Sequence, residues 1–116
     1  MTASESTFAQ LRRRERERRI AALRQRLSDT LGPTDCSVWL FGSLARGDWD
    51  GFSDTDLLVV APSREEAERA ADQLGEALLG EDVLAIAQAR WEAMDHSASP
   101  HWRAIRAQAI RLHPQP

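Results

Sequence analysis

Two short apolar runs with unusual endings constrain this chain more than anything else in it. The first, Val38-Trp39-Leu40-Phe41, closes on Gly42-Ser43 and continues as Leu44-Ala45-Arg46-Gly47. The second, Leu57-Leu58-Val59-Val60, is opened by Ser53-Asp54-Thr55-Asp56. Such runs, bounded by glycine or acidic residues, read as buried strands. Gly42-Ser43 lets the chain turn tightly, so that Leu44-Ala45-Arg46 can open a helix. The free N–H groups of a helix start face an incoming anion, and the helix dipole favours negative charge there. Ser43 adds a hydroxyl, and Arg46, on the same helical face, adds a fixed positive charge.

Asp54 and Asp56 are expected to begin the second strand, where side chains two apart share a face at roughly 6.5–7 Å. That spacing suits a shared hard cation such as Mg²⁺, which takes one or two carboxylates together with substrate phosphates. Thr55 points the other way, into the packing layer. No basic residue lies between Gly51 and Val60, so the two acids are costly unless something positive joins them. Asp48-Trp49-Asp50-Gly51 looks like the opening of a calcium loop. An EF-hand fails here, because its glycine and glutamate positions hold Ser53 and Val59.

Gly42-Ser43, then Arg46-Gly47, then Ser53-Asp54-Thr55-Asp56-Leu57 resembles the nucleotidyltransferase superfamily typified by DNA polymerase β, in particular its minimal "MNT" branch. A lone Gly-Ser or Asp-x-Asp is weak; the two at this distance are specific. The resemblance extends from about Ser37 to His113. It implies an α/β (α+β) nucleotidyltransferase fold, a small mixed β-sheet covered by helices on one face. It further implies transfer of a nucleoside monophosphate, AMP above all, from ATP or another NTP to a hydroxyl. Gly42, Ser43 and Arg46 would bind nucleotide, while Asp54 and Asp56 would hold two Mg²⁺ ions. A third acid belongs on the strand after the crossover helix. Asp82 is its match, as catalytic base or metal ligand, and Glu81 competes, since either faces the site after a one-residue register change.

Within the minimal branch the resemblance implies an antitoxin that AMPylates a tyrosine of a HEPN-type toxin. A stoichiometric antitoxin and an aminoglycoside-type nucleotidyltransferase are the alternatives. At 116 residues the chain reads as one domain, residues 1–31 a helix and 32–116 the catalytic core, with the acceptor supplied in trans. The apolar fraction of 42% and charged fraction of 28% are ordinary for a globular protein. No apolar run suits a membrane span or a signal core, and a single Cys36 excludes an internal disulfide, so cytoplasm is the default. The chain contains no tyrosine and no lysine.

Thr7 to Leu31 reads as one helix, with Thr7 and Gln10 as a capping box and Gly32-Pro33 as its end. Ile20, Leu23, Leu27 and Leu31 make its packing face. The run from Arg12 to Arg19 has no apolar face and carries +4 in a chain of net −3, leaving −7 elsewhere. It reads as a solvated helix or as an arm for an acidic partner; nucleic acid is disfavoured by the acidic remainder. A second helix starts at Ser63, buries Ala67, Ala70, Ala71, Leu74 and Leu78, and stops at Gly80. Asp82–Ala87 is the next strand, Trp91 and Met94 sit in a short helix or loop, and Ser99-Pro100 opens a last helix with Trp102, Ile105 and Ala109 inward. Ile110 and Leu112 alternate like a brief final strand. His96, His101 and His113 share no metal-ligand spacing. Trp49 lies between the two motifs, suited to stacking or to loop packing.

Overall fold

The computed structural model describes residues 6–48 and 54–115. Ser53, Trp49 and Asp50, named above, lie outside the described residues.

Every strand expected from the sequence is present. β1 (Ser37–Phe41), β2 (Asp56–Ala61), β3 (Asp82–Ala87) and β4 (Ile110–His113) form one sheet in the order β3-β2-β1-β4. β1 runs antiparallel to both β2 and β4, whereas β2 and β3 are parallel. A parallel pair needs a crossover, and the helix Arg64–Glu76 provides it. In chain order the helices are α1 (Thr7–Leu31), α2 (Ser43–Arg46), α3 (Arg64–Glu76), α4 (Gln88–Ala93) and α5 (Pro100–Gln108), with a 3₁₀ turn at Met94–His96.

The central strand β2 is apolar on both faces, which is why it reads as a continuous run. Leu57, Val59 and Ala61 join Val38 and Leu40 under Ile20 and Leu27 of α1 and Ala67, Ala70 and Leu74 of α3. Leu58 and Val60 face the other way, against Ile86, Trp91 and Met94, with Trp39, Phe41 and Trp102 at the margin. Burying each such leucine contributes about 1.5–3 kcal/mol. The mixed sheet packed by helices is as expected, but its second face is not bare. A smaller cover made by α4, the 3₁₀ turn and α5 closes part of it. The Arg106 guanidinium lies 4.6 Å from the Trp91 ring centroid and its Nε donates to the Trp91 carbonyl at 3.2 Å, docking α5 on α4. Among the described residues no helix is long and apolar enough to cross a membrane.

Three local expectations are corrected. The cap of α1 is Ser6, whose hydroxyl accepts from the Ala9 N–H at 3.1 Å, so Thr7 is the first helical residue instead of the cap. α3 ends at Glu76, before Gly80. Leu78 then adopts φ +57° in the turn and is 85% exposed, while Leu79 takes the buried place at 2%. Gly80 serves close packing: a Cβ there would stand 3.0 Å from Leu57 Cδ1. The capping roles of Ser63 and Ser99 hold, their hydroxyls accepting from Glu66 and Trp102 N–H groups.

Candidate active site

β1 delivers the chain to Gly42, whose φ is +79° and ψ −160°. That backbone favours glycine, and space demands it as well: a Cβ would fall on the Asp56 Oδ2 atom. Antiparallel register explains the approach, since Phe41 pairs with Asp56. α2 is a single turn, closed by an Arg46 N–H bond to the Gly42 carbonyl at 3.0 Å and a Gly47 N–H bond to the Ser43 carbonyl at 2.9 Å. Leu44 and Ala45 are buried, leaving Ser43 and Arg46 on the cleft side. Arg46 pairs with Asp48 at 3.4 Å with both side chains well exposed. Such a pair is worth little, so the guanidinium is readily diverted to a more strongly charged anion.

β2 begins at Asp56, not at Asp54. Asp54 precedes the strand, is exposed, and reaches the cleft from its loop. Thr55 turns inward as expected and is buried. Asp56 lies beside Asp82 on one rung of the parallel pair. Its carboxyl is held above the usual carboxylate range, first by burial, then by the charges of Asp82 and Asp54, a hydrogen bond with Asp82, and the charge of Glu81. Asp82 and Glu81 have different surroundings. Glu81 Oε2 accepts from the Thr55 N–H at 2.7 Å, and the Glu81 N–H returns a bond to the Thr55 carbonyl at 3.0 Å. Glu81 therefore grips backbone, whereas Asp82 meets the Asp56 carboxyl.

A cleft of about 410 Å³ opens between these elements. One wall is Gly42, Ser43, Arg46, Asp54 and Asp56; the other is His101, Ala104, Ile105 and Gln108 of α5. A larger hollow of about 590 Å³ lies between Thr34–Cys36 and α3, remote from the paired aspartates. The family model for a nucleotidyltransferase domain matches residues 20–95, two thirds of the chain, and spans the turn and all three aspartates. The chain belongs to the nucleotidyltransferase domain family. No individual curated protein matches it. The family accounts for an NTP as substrate and for nucleotidyl transfer as the general reaction.

Divalent metal is typical of nucleotidyltransferase domains, and the donor set here fits one. The candidate ligands offer only carboxylate oxygen, the chemistry that suits Mg²⁺. A cation also relieves the crowding that lifts Asp56. Among the described residues no group of three or more acids, histidines or cysteines is preassembled to hold a metal alone.

Two features of the nucleotidyltransferase domain escaped the sequence. His101 and Gln108 line the cleft; they share a face with Ile105 at helical spacing, a signal present in the sequence but assigned there to Trp102 and Ala109. The arginine run is also not one uniform arm. Arg16 Nε and Nη2 donate to the carbonyls of Leu44 and Ala45 at 2.7 and 2.8 Å, and Arg19 Nη2 donates to Thr55 Oγ1 at 2.9 Å. These two arginines are structural ties, so treating Arg12, Arg13, Arg16 and Arg19 alike as exposed docking charges is corrected.

Proposed function

We propose that this nucleotidyltransferase domain moves AMP from ATP to a hydroxyl of a partner protein, with two Mg²⁺ ions, as the antitoxin of a HEPN-type toxin. The observation that carries nucleotidyl transfer is the Asp56 carboxyl, pressed between the Gly42 turn and Asp82. Such crowding suits a carboxylate that works with a cation. The protein acceptor and the toxin rest on the resemblance to the minimal branch.

In this reading Ser43 Oγ, the first N–H groups of α2 and the Arg46 guanidinium hold the β- and γ-phosphates. Asp54 and Asp56 would hold the metal through their carboxylate oxygens. When bound, the two ions would supply charge neutralisation at the transferring phosphoryl group. Asp82 accepts the proton of the attacking hydroxyl. The acceptor oxygen bonds to the α-phosphorus, the bond from that phosphorus to the β-phosphate oxygen breaks, and pyrophosphate leaves. His101 and Gln108 face the same space and suit contact with the nucleoside.

Calorimetry with ATP, with and without Mg²⁺, tests the metal and nucleotide assignment. Binding should require Mg²⁺ and collapse in Asp54→Asn and Asp56→Asn; equal affinity in all three proteins would sink it. Transfer of labelled AMP to a HEPN-type protein encoded beside this chain tests the acceptor. Tight complex formation without labelling would favour the stoichiometric alternative.

A further inference from the structure

We infer that Arg16 and Arg19 are positioning residues that hold the two halves of the site in mutual register from outside the family-matched segment. The inference rests on the nucleotidyltransfer reading above. The match begins at residue 20, so both arginines precede it. α2 has four residues, too few to hold its own shape. The carbonyls of Leu44 and Ala45 belong to its last turn, where helical acceptors lack partners inside the helix. The Arg16 fork reaches both at once, at 2.7 and 2.8 Å, and sets positive charge against the negative end of that turn. The elements carrying Ser43 and Arg46 are thereby fastened to α1.

Arg19 does the same for the acid strand. Its Nη2 bonds the hydroxyl of Thr55, the inward-facing residue between Asp54 and Asp56, at 2.9 Å. Glu81 holds the backbone of Thr55 from the β3 side. Arg16 and Arg19 stand three residues apart on one rigid helix, a rise of about 4.5 Å. That fixed interval spans the phosphate end and the carboxylate end of the cleft. Neither arginine is among the residues that line the cleft, so the role assigned to both is positioning.

Amide exchange in the free protein reads the ties directly. Arg16→Gln should speed exchange of the Arg46 and Gly47 amides about tenfold and leave β2 unchanged. Arg19→Gln and Thr55→Val, which remove the same bond from opposite ends, should instead speed the Glu81 amide. With Mg²⁺ and ATP as probes the two ties should separate. Arg16→Gln should weaken ATP about tenfold at saturating Mg²⁺ without moving the Mg²⁺ midpoint. Arg19→Gln and Thr55→Val should raise that midpoint about five- to tenfold and leave saturated ATP affinity within about twofold. Arg16→Lys keeps the charge but cannot span both carbonyls, so it should resemble Arg16→Gln, and it decides the matter if the glutamine variant does not fold. Unchanged exchange, or equal movement of both binding parameters in every variant, would overturn the inference. Altered exchange in a wild-type background that binds no Mg²⁺ and ATP would leave the ties standing and refute the nucleotidyltransfer reading instead.

Discussion

The two halves of the cleft are built on opposite principles. The Gly42–Gly47 half works through what is missing: no Cβ at Gly42, a helix of one turn only, and an arginine in no more than a weak surface pair. The Asp54, Asp56 and Asp82 half works through excess, three acids drawn together so that burial first, and then the neighbouring charges, raise the Asp56 carboxyl. The first half tolerates almost no added volume, and the second tolerates a loss of charge very well as a fold. Stability and chemistry should therefore respond together at the turn and in opposition at the acids.

Gly42→Ala should break this contrast most severely. The new methyl lands on Asp56, at a φ that L-residues avoid, so both halves are displaced at once. Transfer should fall by about 10³ or more, since an ångström of misplacement alone can cost a hundredfold, and the melting temperature should fall with it. A variant retaining activity would show that the turn and Asp56 are not coupled. Next in size, Asp82→Asn should cut transfer by about 10²–10⁴ and leave ATP affinity within a few-fold, the signature of a base. Glu81→Gln should mainly cost stability, on the order of 1–3 kcal/mol, through its grip on Thr55. Loss of chemistry in Glu81→Gln with an active Asp82→Asn would reverse the roles.

A smaller effect comes from pH. Asp56 has a folded-state pKa above its ordinary 3.8, so between the two values the folded protein binds more protons than the unfolded chain. Stability then falls as pH rises through that window and is regained on acidification. Thermal melts of the metal-free protein should show this slope, Asp56→Asn should flatten it, and saturating Mg²⁺ should oppose it. A slope unchanged in Asp56→Asn would assign it to other groups. Smallest of all, Arg12→Gln with Arg13→Gln should leave ATP binding intact and weaken a protein partner in a salt-sensitive way. Unchanged partner affinity at low and high salt would remove both positions from the partner surface.

The same contrast governs what the sequence discloses. Gly42, Asp56 and the strand carrying Asp82 are legible because their places follow from local spacing: a turn after an apolar run, and acids at strand starts. Asp54 is legible as an acid of the site but not as a loop residue, because where a strand begins depends on which neighbour pairs with it. Arg16 and Arg19 look like Arg12 and Arg13 in an arginine run; only the docking of α1 over α2 and Thr55 tells them apart. His101 and Gln108 depend likewise on how Arg106 seats α5 against Trp91. Leu78 and Leu79 are chemically identical, and one turn residue decides which is buried.

The shared rung of Asp56 and Asp82 has a consequence in time. Parallel pairing of β2 with β3 requires the α3 crossover to close, and a contact of that span spends chain entropy before it is rewarded. Repulsion that arises only after the folding barrier leaves the folding rate alone and hastens unfolding. Neutralising that rung, by a bound cation or by Asp56→Asn, should then lengthen the lifetime of the folded state while the refolding arm of its chevron stays in place.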